Sequence, residues 1–153
     1  FQWEAQLAPE EYERRVQLLR DAFRGKGSVV YDYHAPDLSR LEAVLARGDR
    51  RLAPALARAV ELGCRLDGWD EYFRYDAWLQ AFRDTGVDPD FYTVRARSTD
   101  EVLPWDTISV GVRKDFLASE RAAAYRSEIT PDCRTKCAAC GANALYKEGP
   151  CDD

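Results

Sequence analysis

The sequence lacks several features that assign proteins to a class. It has no methionine and a single histidine among 153 residues. It has no run of about 18 apolar residues that would span a bilayer, and its N-terminus lacks the basic-then-apolar order of a secretory signal. A glycine-rich phosphate loop, a Ser–His–Asp order and a His-Glu-x-x-His motif are also missing. These absences exclude a membrane-spanning chain and the familiar hydrolase patterns, and they predict a cytoplasmic protein.

The absence of methionine also bears on what the chain represents. An intact translated protein normally begins with methionine, whereas this sequence opens with Phe1-Gln2-Trp3. We therefore expect the tail of a longer polypeptide. In that interpretation residues 1–8 are a candidate for the end of an upstream domain.

The formal charge of −5 provides no overall positive field. Because affinity for nucleic acid depends strongly on phosphate neutralisation, this charge argues against autonomous binding. We predict no DNA partner, and an RNA contact would need a local basic face.

Proline, glycine and apolar spacing divide the chain into helices. Helices are predicted to begin near Pro9, Asp37, Arg50 and Lys114, with another that carries Trp78 and Phe82. Residues 50–64 are predicted to form a helix that carries Leu52, Leu56, Ala59, Val60 and Gly63. The aromatic residues between 69 and 82 favour a hydrophobic core over a stacking surface.

Two segments have the composition of strands. Residues 28–34 are β-branched and aromatic, and residues 1–7 alternate imperfectly. We therefore predict a mainly α fold with one or two short strands (α+β). A helical accessory domain at 9–128 precedes a cysteine-rich tail at 129–153.

The cysteines are concentrated at the C-terminus. Four of the five follow residue 132: Cys133, Cys137, Cys140 and Cys151. Thiolates suit zinc and iron–sulfur clusters, and C-x2-C spacing lets two sulfurs converge on one metal. Gly141 directly after Cys140 permits the positive φ that a chain often needs there, and Gly149-Pro150 supplies a turn before Cys151. The pattern favours a metal site over unliganded thiols, while Cys64 fits a buried position.

Several motifs together resemble a known family. They are H-A-P-D-L-S-R-L-E-A-V-L-A-R-G-D-R-R (34–51), D-G-W (67–69), L-P-W-D-T-I-S-V-G-V (103–112), F-L-x-S-E (116–120) and T-P-D-C-R-x-x-C-x-x-C-G (130–141). In this order they resemble the C-terminal region of bacterial radical S-adenosylmethionine (SAM) proteins with an N-terminal B12-binding-like domain. The tail differs from many relatives, which end C-G-V-C, because Asn143 stands where they have the fourth cysteine.

The resemblance implies that the parent protein is a radical enzyme using a 4Fe–4S cluster and SAM, with cobalamin suggested by the domain type. The catalytic cluster would lie in an upstream barrel of the same polypeptide. The C-x3-C-x2-C spacing of Cys133, Cys137 and Cys140 is also that of the catalytic motif, but only 13 residues follow Cys140 and no barrel can be built from them. The tail would then hold zinc or an auxiliary iron–sulfur cluster.

A second class of function stays open beside this one. The chain could be a non-enzymatic zinc-knuckle module that contacts protein or RNA. His34 is the only side chain whose ordinary pKa lies near neutrality, and Arg47, Arg50 and Arg51 have the chemistry of a phosphate contact. For all four residues, a structural role is the competing interpretation.

Overall fold

The computed structural model describes residues 1–145, and Cys151 lies outside that range. Helix accounts for 48% of the structure, which confirms a mainly α fold. Six α-helices occur in the described part of the chain: α1 (Pro9–Phe23), α2 (Pro36–Arg47), α3 (Ala53–Glu61), α4 (Tyr75–Thr85), α5 (Pro89–Tyr92) and α6 (Lys114–Tyr125). Single 3-10 turns occupy Arg50–Leu52 and Ala142–Ala144. None of these helices is long and apolar enough to cross a membrane.

The helix boundaries follow local chemistry. α1 and α2 each begin with a proline in the first turn, where the missing N–H costs no hydrogen bond. α4 ends at Gly86, whose φ of 65° gives the left-handed conformation that closes many helices. Asp49 caps the turn before α3, because its side chain accepts a hydrogen bond from the Arg51 backbone N–H at 2.9 Å.

The predicted strands are wrong, since residues 1–145 form no strand. Residues 29–35 are extended but belong to no sheet, and Val30 is 94% exposed. Residues 1–7 make isolated backbone contacts instead of a ladder: Gln6 N–H donates to Thr93 O at 2.9 Å, and Arg97 N–H donates to Trp3 O at 2.8 Å. Strand propensity needs a pairing partner to take effect, and the described residues provide none.

The described chain forms two compact units. The N-terminal unit comprises Trp3–Arg97, and the C-terminal unit comprises Phe1–Gln2 with the described residues from Ser98 onward. In the N-terminal unit α3 and α4 form the largest helix pair. Their interface is built on fully buried small side chains, which let the two helices approach closely: Ala55, Ala59 and Ala81. Trp78 and Phe82 complete this core.

Several polar contacts connect the segments of the C-terminal unit, and two of them join α6 to the preceding segment. Lys114 Nζ donates to the Glu101 carbonyl at 2.8 Å and to Asp106 Oδ2 at 3.1 Å. Trp105 Nε1 donates to Gln2 Oε1 at 2.7 Å. α6 itself contains no buried residue. The predicted boundary at residue 128 is not tested by this division and stays a prediction.

An ion pair between α3 and α4 makes the N-terminal unit sensitive to acid. Arg58 Nε lies 2.7 Å from Asp84 Oδ2, and hydrogen bonds from Arg58 and Gln80 hold the pKa of Asp84 below its usual value near 3.8. A carboxylate with a lowered pKa stabilises the fold above its unfolded pKa, and this contribution is lost as the pH falls through the folded value.

We expect Asp84→Asn to lower the free energy of unfolding at neutral pH by a modest amount. The difference from the wild type should shrink as the pH drops below about 4. Urea unfolding followed by circular dichroism at several pH values measures it. Asp70→Asn makes the same charge change outside both helices and serves as the control. A difference between wild type and Asp84→Asn that stays constant down to pH 2 contradicts the expectation.

Candidate metal centre

The tail begins with a single turn that carries the first cysteine. Asp132 organises it, because its carbonyl accepts from Thr135 N–H at 2.8 Å and Lys136 N–H at 3.1 Å. Its carboxylate accepts from the Arg134 N–H at 2.9 Å. The hydrogen bond from the Arg134 side chain holds the pKa of Asp132 below its usual range. Cys133 is exposed on this turn.

At each of the next two cysteines, the backbone amide two residues later faces the sulfur. Ala139 N–H donates to Cys137 Sγ at 3.4 Å, and Ala142 N–H donates to Cys140 Sγ at 3.5 Å. Two residues of the segment 137–141 have positive φ, Ala139 at 54° and Gly141 at 92°. Amide hydrogen bonds to sulfur are a feature of the surroundings of metal-bound cysteines. This segment therefore offers two sulfurs with amide donors that suit metal ligation.

Residues 111–113 of the C-terminal unit hold the backbone of the segment 137–141 in place. Arg113 N–H donates to the Cys140 carbonyl at 2.9 Å. A Cβ at Gly141 would lie 2.7 Å from Arg113 Cγ and 2.9 Å from the Gly111 carbonyl oxygen. Only glycine fits there, because these distances are shorter than real Cβ contacts and the φ angle is unfavourable for other residues. The sequence analysis did not predict these contacts of Gly111 and Arg113. The glycine in the I-S-V-G-V motif could have indicated a close approach of the backbone there.

The start of the tail is tied to α6. Thr130 Oγ1 contacts both carboxylate oxygens of Glu120, at 2.6 and 2.7 Å. Glu120 lies inside the F-L-x-S-E motif, and Thr130 opens the T-P-D-C motif. Two of the sequence motifs therefore meet at one hydrogen-bonded contact, which fixes where the cysteine segment leaves the helix.

The four predicted ligand cysteines lie in different parts of the tail. Within residues 1–145, no three His, Cys, Asp or Glu side chains are grouped as a metal site. Cys133 lies on the turn that Asp132 organises, Cys137 and Cys140 follow in the segment 137–141, and Cys151 falls outside the described range. Convergence of Cys133 and Cys151 on the Cys137–Cys140 pair stays a prediction.

Cys64 occupies a different environment, as predicted. It is 3% exposed and belongs to the core of the N-terminal unit. Burial raises the pKa of its thiol, which disfavours the thiolate. This cysteine is therefore suited to packing and not to ligation.

The structure places His34 at the end of the extended segment. Its side chain is exposed, and its backbone carbonyl accepts a hydrogen bond from the Tyr12 hydroxyl at 2.9 Å. His34 lines an open cleft of about 550 Å³ together with two acidic residues, Asp32 and Asp70. The acidic neighbours disfavour an anionic ligand here, so a phosphate contact at His34 lacks electrostatic support.

The three arginines take separate roles. Arg47 donates to the Glu4 carbonyl at 2.9 Å and the Thr93 carbonyl at 3.3 Å, and burial lowers its pKa. It binds the backbone of its own unit. Arg51 forms an ion pair with Asp49 at 2.6 Å, while Arg50 is exposed on the same 3-10 turn. Because Asp49 already engages Arg51, a phosphate contact by these arginines has its best support at Arg50.

Comparisons with known proteins give no match. No family model, no curated protein and no solved structure is similar to this chain. The family resemblance described above therefore stays a hypothesis that rests on the sequence motifs.

Proposed function

We propose that this chain is the C-terminal accessory portion of a radical SAM enzyme, and that its tail holds a metal through Cys137 and Cys140. Cys133 and Cys151 are the candidates to complete the ligand set. The observation that carries the metal proposal is the pair of hydrogen bonds at the segment 137–141, in which two backbone amides donate to two sulfurs 3.4 and 3.5 Å away. The family motifs at residues 34–51, 103–112 and 130–141 support the assignment to the enzyme class.

Each part of the tail has a defined task in this proposal. The two thiolates would donate electron pairs to the metal, and the amides of Ala139 and Ala142 would keep their hydrogen bonds to the sulfurs. Gly141 allows the chain to pass close to Arg113 and to the Gly111 carbonyl. A bound zinc ion would act as a structural clip. A bound 4Fe–4S cluster would supply electron transfer.

Catalysis in this proposal belongs to the parent protein. The radical chemistry needs SAM and a cluster in an upstream barrel, with cobalamin as a further cofactor of the parent. The chain alone is therefore expected not to cleave SAM under reducing conditions. Reductive cleavage by the chain alone would overturn the assignment, because Cys133, Cys137 and Cys140 would then be the catalytic triad.

The deciding experiment is a metal analysis of the chain purified without oxygen. One zinc per chain and no colour would make the tail a structural clip. About four irons with sulfide and broad visible absorption would make it a cluster site. A Cys137→Ser, Cys140→Ser double variant should lose either metal. The Cys64→Ala variant is the matched control and should retain it. A wild-type chain without bound zinc or iron, after reconstitution with each, contradicts the metal proposal.

A second candidate function has one specific observation in its favour. Phe91 is contacted on its ring by two guanidinium groups, Arg51 Cζ at 4.9 Å and Arg95 Cζ at 4.3 Å from the centroid. Such exposed cation–π clusters suit protein or RNA contacts. In this alternative the chain is a zinc-knuckle binding module without catalysis. A zinc-containing chain whose complete protein lacks a second C-x3-C-x2-C motif would favour it.

A further inference from the structure

A continuous stack of aromatic rings lies on the surface of the N-terminal unit, with a cation at each end. Tyr31 and Tyr33 are stacked at 5.6 Å with an interplanar angle of 19°, and Phe23 lies 6.0 Å from Tyr31. Arg20 Cζ is 4.7 Å from the Tyr33 centroid, and Lys26 Nζ is 5.8 Å from the Phe23 centroid. We call these five residues the basic aromatic stack.

Two local periodicities build the stack. Arg20 and Phe23 are three residues apart in α1, which places them on one helix face. Tyr31 and Tyr33 are two apart in the extended segment, so their rings project to the same side. Gly25, with φ at 77°, turns the chain between α1 and this segment. The strand-like sequence at 28–34 thus places rings side by side without forming a strand.

A groove beside the stack has the size and chemistry for a nucleotide unit. Its volume is about 330 Å³, near the lower end of the range of ligand pockets. Basic, amide and apolar side chains line it: Gln17, Arg20, Phe23, Arg24, Val29 and Tyr31. No acidic residue is among these described lining residues. The neighbouring cleft, which Asp32 and Asp70 line, would repel phosphate and limits the path of an anionic chain.

We propose that the basic aromatic stack and its groove bind a short stretch of single-stranded nucleic acid. The lysine contact at 5.8 Å is at the outer limit of a cation–π interaction, so a base can replace Lys26 on the ring face of Phe23 that Lys26 covers. The displaced ammonium group then lies beside the phosphate of that base. Arg24 is 79% exposed in its pair with Asp21, and such a pair costs little to exchange for phosphate.

The net charge of −5 bears on how tightly the chain should bind the nucleic acid and on how strongly salt should weaken that binding. With no long-range attraction, binding depends on stacking and on the few cations of the groove. The logarithm of the binding constant should fall with the logarithm of salt concentration with a slope of about −0.7 for each phosphate neutralised. We expect a slope that corresponds to the neutralisation of two or three phosphates.

Fluorescence anisotropy of a labelled ten-nucleotide oligouridylate with the full chain at low salt tests this proposal. Phe23→Leu keeps apolar volume but removes the ring, and it should weaken binding roughly tenfold. Lys26→Gln should weaken binding and make the salt slope shallower by about 0.7. Arg83→Gln is the control, because it makes the same charge change on α4, where Arg83 is exposed, and it should bind like the wild type. Circular dichroism establishes that all variants keep their helix content.

Three results would overturn the proposal. The first is no binding of the oligonucleotide at low salt. The second is that the chain binds uridine monophosphate as tightly as the oligonucleotide. The third is that wild type, Phe23→Leu and Lys26→Gln bind the oligonucleotide with the same affinity. The site does not depend on the tail. Cys137→Ser, Cys140→Ser should therefore bind the oligonucleotide normally even if it loses metal, which keeps the outcomes for the tail and the groove separate.

Discussion

Replacing Phe82 with alanine should destabilise the N-terminal unit by about 3–5 kcal/mol, the range measured for deleting a buried phenylalanine. Phe82 is 3% exposed and packs in the core between α3 and α4, with its ring 6.0 Å from that of Trp78. The helices cannot close the resulting cavity easily, because Ala59 and Ala81 already bring them close together. Most of the lost contact energy should therefore appear as lost stability.

Denaturant unfolding followed by circular dichroism and tryptophan fluorescence measures this loss. Phe82→Leu retains most of the volume and should cost about 1.5 kcal/mol or less. Tyr72→Ala is the matched control, since Tyr72 is 51% exposed and its loss leaves no cavity. Equal stability of Phe82→Ala and Tyr72→Ala would contradict the described core. Two separate transitions in the unfolding curve would show that the two units unfold independently.

The second large effect is expected at Gly141. In Gly141→Ala the new methyl group would lie 2.9 Å from the Gly111 carbonyl oxygen and 2.7 Å from Arg113 Cγ, at a φ of 92°. The arginine side chain can move, but the carbonyl belongs to the backbone that anchors Cys140. A non-glycine residue in such a conformation costs of order 1–3 kcal/mol. The backbone of the segment 137–141 should therefore distort, and the two sulfurs should lose their amide donors.

The measured consequence is a fall in zinc affinity of about tenfold or more, because each 1.4 kcal/mol corresponds to a factor of ten. A competition titration with a chromophoric chelator gives the affinity. Gly25→Ala is the matched control, since Gly25 also has positive φ, at 77°, but has no atom within 4 Å of the added Cβ. It should bind zinc like the wild type. Unchanged zinc affinity in Gly141→Ala would mean that the segment 137–141 does not supply the zinc ligands.

The tail and the basic aromatic stack belong to different units of the described chain. In the proposed parent enzyme, the tail would hold a metal while the groove beside α1 contacts a single strand. Nucleic-acid binding by the chain together with a cluster in its tail would direct the search for substrate toward RNA. Metal binding without nucleic-acid binding would leave the tail as the functional feature of the chain.

The positions of the helices could be read from the sequence because their determinants are local. Pro9 and Pro36 begin helices, Gly86 ends one, and apolar residues recur at a spacing that needs no knowledge of partners. The positive φ of Gly141 was also expected from the sequence, because this glycine directly follows the C-x2-C pair. The strand prediction failed because extended sequence becomes a strand only when another segment pairs with it.

Other features depended on which elements meet in the folded chain. In α3 the large residues Leu56 and Val60 are 41% and 54% exposed, whereas Ala55 is fully buried. Close packing against α4 selects small side chains, a choice that the period of the helix cannot reveal. Similarly, Arg47 is used internally because the Glu4 and Thr93 carbonyls lie within its reach. The basic aromatic stack arises in the same way, since neither α1 nor residues 29–35 alone indicates that their rings come together.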